Sequence, residues 1–154
     1  MKLKIRAKAG GKPRPFTISD LKPQKTEEQI QNGVCSFLRR FHRNVFYHVD
    51  LAGIRVNSPY QRKIIHDQQG PAGFPDIVIY ERRGGFNGLV LEMKRESPYR
   101  KRDGQLKDDP HLRDQERWLQ QFRESGYVTG FFWAPESAIK AINEYLQLPF
   151  DCEG

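Results

Sequence analysis

The sequence predicts an α/β domain with the element order αβββαβα. Three features carry that expectation: helical spacing of apolar residues after Thr26, two strand-like runs joined by a Gly-rich connection between residues 76 and 95, and a helix, strand and helix succession after residue 110. The first helix begins at Thr26, where Thr26 and Gln29 fit a capping box and Ile30, Val34, Phe37, Leu38 and Phe41 recur at helical spacing. Residues 46–49 read as a short strand. Residues 50–75, interrupted by Gly53, Pro59, Gly70, Pro71 and Gly73, read as a long irregular stretch, which in a small domain is usually functional or mobile. Residues 76–80 and 89–95 read as the central strands, joined as a hairpin across Arg83, Gly84, Gly85 and Asn87. A charged loop containing Gly104 leads to a helix over 111–125 that Gly126 ends. A strand over 127–133 and a helix over 135–146 complete the domain.

At 154 residues the chain is long enough for one compact domain and too short for two ordinary ones. With 37% hydrophobic and 29% charged residues it should fold with a highly charged surface. No apolar run approaches the roughly 18 residues that cross a bilayer, so no membrane partner is expected. The Lys-rich start lacks the apolar stretch of a secretory signal. Cys35 and Cys152 are far apart and outside any CxxC spacing, so neither a disulfide framework nor a zinc site is indicated, and a reducing, cytoplasmic setting is expected.

Net charge is +7, and all of the excess lies in the first 25 residues, which hold eight Lys or Arg against one Asp. Residues 1–25 therefore read as a basic arm and linker, and 26–150 as a single domain. Within the arm Lys2, Lys4, Arg6 and Lys8 alternate with Leu3, Ile5 and Ala7, a strand-like period with one basic face. Such a segment attracts polyanions, most commonly nucleic acid, because each neutralised phosphate releases counterions; as a solvated tail it would only aid solubility.

Several polar residues fall where apolar ones are expected. Glu27 lies on the inward edge of the first helix, where an acid also complements the helix dipole. Gln115 shares a helix face with Leu112, Leu119 and Phe122; an amide there also suits a hydrogen bond to backbone. In the run 88–95, Leu89, Leu91 and Met93 alternate with Val90, Glu92 and Lys94, so an acid and a base emerge on one face of a central strand. A solvent-facing strand with a salt-bridged surface would accommodate them; a buried one demands partners, because desolvating a charge costs several kcal/mol. Asp76 opens the preceding strand after Pro75 and could meet Glu92 across the hairpin. Acid oxygens from neighbouring strands form a hard site suited to Mg²⁺ or Mn²⁺, to which the backbone carbonyl of Met93 could add, with Lys94 holding a phosphate or orienting water. That is chemistry for phosphodiester hydrolysis.

Pro75-Asp76 followed by Glu92-Met93-Lys94 resembles the PD-(D/E)xK signature of restriction-endonuclease-like nucleases, and the closer likeness is to their VRR-NUC branch. Gly73-Phe74-Pro75-Asp76, the helix start Thr26-Glu27-Glu28-Gln29-Ile30-Gln31, and Gln115-Glu116-Arg117-Trp118-Leu119 with Gly126 closing extend the likeness over about 26–146. Each piece is weak alone and the ordered set is strong. The resemblance implies a restriction-endonuclease-like core, with a mixed central sheet flanked by helices, and metal-dependent DNA cleavage leaving a 5′-phosphate. It implies Glu27, Asp76 and Glu92 as metal ligands, Lys94 as the water or phosphate partner and Gln115 as a supporting residue. Small stand-alone members, bacterial or phage, further imply a homodimer acting on branched DNA such as Holliday junctions.

Recognition should follow backbone shape, since no base-reading helix or zinc finger is evident. Arg55, Tyr60, Arg62 and Lys63 in the long stretch, and Arg95, Arg100, Lys101 and Arg102 after the acid-bearing strand, are candidate phosphate contacts, although any one is also an ordinary surface charge. The competing reading is a DNA-binding protein without catalysis that uses the basic arm, against which the intact Glu27, Asp76, Glu92 and Lys94 argue. His42, His48, His66 and His111 lack metal-ligand spacing, and the absence of a phosphate-loop or dinucleotide fingerprint leaves no support for a nucleotide cofactor.

Overall fold

A computed structural model describes residues 26–50, 57–68 and 73–151. Thr26 caps helix α1 (Glu27–Phe41) with both bonds of a capping box, its hydroxyl accepting from the Gln29 N–H and its own N–H donating to the Gln29 side chain. Strand β1 (Tyr47–Val49) follows, then helix α2 (Pro59–Gln68), strands β2 (Ile77–Ile79) and β3 (Gly88–Met93), helix α3 (Pro110–Glu124), strand β4 (Tyr127–Phe132) and helix α4 (Pro135–Gln147). Helix α2 corrects the expectation of an irregular stretch over 50–75. Pro59 sits at its start, where a missing N–H costs nothing, and Ser58 accepts from the Gln61 and Arg62 N–H groups. None of its residues is buried, so it carries no apolar stripe for periodicity to reveal.

The four strands form one sheet in the order β1, β2, β3, β4. The β1/β2 and β2/β3 pairs are antiparallel and β3/β4 is parallel, so the sheet is mixed as expected, with β2 and β3 central. The parallel pair needs a crossover, and α3 supplies it. Ile77, Ile79, Leu89, Leu91 and Met93 face α1 and α4 on one side, packing with Ile30, Val34, Leu38 and Ile142. Val78, Val90 and Phe131 face α3 on the other, packing with Leu112 and Leu119. Burying such side chains stabilises by about 1.5–3 kcal/mol each before entropy is counted.

The alternation read along 88–95 therefore holds, but the strand is buried along its whole length, which removes the solvent-facing alternative for Glu92 and Lys94. No helix among the described residues is long and apolar enough to cross a membrane. The basic arm with Lys2, Lys4, Arg6 and Lys8, as well as Arg55 and Cys152, lies outside the described residues.

Candidate active site

The carboxyl ends of β3 and β4 and the start of β2 meet at one end of the sheet. The β2/β3 register sets Ile77 opposite Leu91, so one step further Asp76 opposes Glu92. The Asp76 carboxylate accepts the Met93 N–H at 2.6 Å, fixing it against the strand that carries Glu92. The turn before it is anchored on α3. Gly73 adopts φ +85°, a left-handed conformation suited to glycine, and a Cβ there would stand 3.3 Å from the Asp114 and Gln115 backbone. The Phe74 ring packs edge-on against Trp118 and Phe122 of the same helix.

Glu92 is 2% exposed and Lys94 6%. The Lys94 ammonium donates to Glu92 Oε1 at 2.8 Å and to the Met93 carbonyl at 2.9 Å, and lies 3.9 Å from Glu27 Oε1. Gln115 donates its side-chain amide to the same Glu92 Oε1. Asp109 and Pro110 position that residue by opening α3, the Asp109 carboxylate accepting from the His111 and Leu112 N–H groups. Glu27, half exposed in the first turn of α1, also accepts the Arg95 N–H at 3.3 Å. Glu27, Asp76, Glu92, Met93, Lys94 and Gln115 are thus linked through hydrogen bonds and two ion pairs at a single end of the sheet.

The structure does not gather the three acids into one group. Among the described residues no three Asp, Glu, His or Cys side chains are close enough together to hold a metal ion. The Lys94 ammonium is what stands among Glu92, the Met93 carbonyl and Glu27, the position a cation between these oxygens would take. The donor chemistry still fits a hard divalent ion: two carboxylates and a carbonyl, all oxygen. Glu92 Oε2 is buried with no hydrogen-bond partner among the described residues, an acceptor whose burial is costly until something positive or hydrogen-bonding meets it. Gln115 Oε1 is in the same condition.

Burial pushes the Asp76 carboxyl up to about 6, with the Met93 N–H and Lys94 opposing and the charges of Glu27 and Asp50 adding. Burial, then the Asp76 charge, pushes Glu92 up to about 8 against the pull of Lys94. Asp50 is the neighbour that reading the sequence missed. Its N–H donates to the Asp76 carbonyl at 2.8 Å, and the Gln31 side chain donates to its carbonyl at 3.2 Å. The signal was an acid directly after the strand at 46–49, but its place beside Asp76 depends on a register no local pattern states.

A cleft of about 410 Å³ opens next to this cluster, lined by Glu27, Lys94, Arg95, Lys107 and His111 among others. Of the candidate phosphate contacts, Arg95 faces this cleft. Arg100 is held by Asp103 and Gln105, and Arg102 pairs with Asp103. Lys101 is exposed in the same loop. Arg62, Lys63 and Tyr60 lie on α2, Lys63 paired with Asp67 at 2.7 Å.

Among solved structures, the fold is shared with a VRR_NUC domain protein at a TM-score of 0.53 and 23% identity, over 81% of this chain and 91% of that one. The chain therefore has an α/β fold of the VRR_NUC, restriction-endonuclease-like kind, as its motifs led one to expect. No family model and no curated protein matches the sequence.

Proposed function

We propose that this chain is a nuclease of the VRR-NUC kind, a divalent-metal-dependent endodeoxyribonuclease that hydrolyses phosphodiesters in branched DNA. The observation that carries this reading is the buried Glu92 carboxylate, which shares one oxygen between Lys94 and Gln115, leaves the other unpartnered, and opposes Asp76 across the hairpin. A purely structural ion pair would satisfy both oxygens, since a half-satisfied buried network is worse than an apolar core.

In this reading Asp76, Glu92 and the Met93 carbonyl would hold Mg²⁺ or Mn²⁺, with half-exposed Glu27 as the further acid of the set. The ion would neutralise charge on a phosphate oxygen and make water a better nucleophile. The chain's own residues do the rest. Gln115 fixes the Glu92 carboxylate from the helix side, and the Met93 N–H fixes that of Asp76. Lys94 presents a positive charge at the inner wall of the cleft, where it meets a phosphate or orients the attacking water. Arg95, Arg100, Lys101, Arg62 and Lys63, with Arg55 and the arm residues Lys2, Lys4, Arg6 and Lys8, supply phosphate contacts that position DNA without reading its sequence. A homodimer would set two such sites on the two strands of a junction, and the setting would be the cytoplasm of a bacterial or phage-infected cell.

Asp76→Asn and Glu92→Gln each remove a charge from the proposed ion site without changing its shape. Both are expected to abolish cleavage while DNA affinity in EDTA stays within a few-fold, measured on the same labelled substrate. Undiminished turnover by either variant would reject the site.

A further inference from the structure

We propose that Gln31 is a positioning residue: its side-chain amide fixes helix α1 against the end of β1 and so sets where Glu27 stands relative to Asp76 and Lys94. This rests on the nuclease reading above and names what holds the acid that a helix, not a strand, brings to the site. The Gln31 amide donates to the Asp50 carbonyl at 3.2 Å, and the Asp50 N–H donates to the Asp76 carbonyl at 2.8 Å. The Asp76 carboxylate in turn accepts the Met93 N–H at 2.6 Å. Three hydrogen bonds therefore lead from α1 to β3 by way of Asp50 and Asp76.

Glu27 and Gln31 stand four residues apart in α1, so they lie on one face of the helix, about 6 Å apart along its axis. Gln31 meets the residue that follows β1, and Glu27 meets Lys94 and Arg95, the residues that follow β3. Strand β2 lies between those two strands, with Asp76 directly before its first residue. The first two turns of α1 thus bridge the end of the sheet where Asp76 opposes Glu92, and a polar side chain ties each flank of the bridge.

The other contacts of these turns cannot do the same work. Glu27 is half exposed, its bond from the Arg95 N–H is 3.3 Å long and its distance from the Lys94 ammonium is 3.9 Å, so it does not fasten its own helix. The capping-box bonds run within residues 26–29. Ile30 and Val34 are buried and hold α1 to the core, but apolar burial is non-directional and leaves rotation and sliding of the helix to be fixed by a group with geometry. Half-buried Gln31, next to Ile30, is such a group. Hydrogen-bonding groups behind an ion's ligands commonly govern the affinity for the ion, by about tenfold or more.

The test is Mn²⁺ binding by the full-length chain without DNA, followed by the paramagnetic resonance of the free ion, well below the melting temperature of every variant. Gln31→Met keeps the length of the side chain and removes the donor. It should weaken Mn²⁺ binding about tenfold. In a Glu27→Gln background the same substitution should cost less than about twofold, because the tie acts through Glu27. In the wild type, the NMR signal of the Gln31 side-chain amide should move as Mg²⁺ is added. A bond that only supports the fold would lower Tm and leave Mn²⁺ affinity unchanged; that result, equal losses in the two backgrounds, or an unmoved amide signal would overturn the proposal. Wild type that binds Mn²⁺ with an affinity indifferent to Gln31 would discard this inference alone, whereas wild type that binds no Mn²⁺ would discard the metal-dependent nuclease reading with it.

Discussion

The Glu92 carboxyl sits between the Lys94 ammonium and Asp76, which lies one strand away. Both are held above their ordinary values of 4.5 and 3.8, chiefly by burial, so between those values and about 8 the folded chain keeps protons that the unfolded chain gives up. Stability of the metal-free protein is then fullest below the unfolded values and falls as pH climbs through about 6 and then about 8. Thermal melts in EDTA should show a higher Tm near pH 5 than near pH 8.5, and Glu92→Gln should flatten the slope. A wild-type Tm that rises over that window, or a slope unchanged by Glu92→Gln, would contradict this account of the buried acids. These residues were legible because a period of two forces Glu92 and Lys94 onto one face and the Pro75-Asp76 turn supplies the facing acid. What alternation could not give is the partner of each atom. That Lys94 occupies the space among Glu92, Met93 and Glu27, and that Asp50 stands beside Asp76, follow from register and rotamer, which are tertiary outcomes.

Elements differ in how plainly they announce themselves. Helices α1 and α3 were legible because each combines a capping residue with a stripe that the core buries, and β2 and β3 because their apolar runs flank a glycine turn. Helix α2 escaped because it buries nothing and lies between glycines and prolines that read as loop. The mixed order of the sheet was reached through family likeness, since pairing between distant segments leaves no local mark. One glycine shows how tightly the central elements fit. A Cβ on Gly88 would stand 2.3 Å from the Ile79 carbonyl and 2.6 Å from the Tyr127 ring, contacts that real side chains do not make. Gly88→Ala should therefore destabilise by about 2 kcal/mol or more, because β2 and β4 must both move away from β3. Urea titration measures this; an unchanged midpoint would mean the three strands are packed less closely than described.

At the scale of the whole chain, the candidate acids and Lys94 lie between residues 27 and 94, and the positive excess lies in residues 1–25. Removing residues 1–12 is expected to weaken DNA binding and to shallow the dependence of log affinity on log salt, because fewer counterions are released. An unchanged salt slope would make the arm a bystander. The decisive feature is the end of the sheet where Glu92 is paired with Lys94, opposes Asp76 across the hairpin and is linked to Glu27 through that lysine. It is tested most directly by incubating wild type and Glu92→Ala with junction, flap, duplex and single-stranded DNA in Mg²⁺, Mn²⁺ or EDTA. The expected result is cleavage of branched DNA by wild type with either metal, none in EDTA and none by the variant; cleavage that persists in EDTA or survives Glu92→Ala would contradict it.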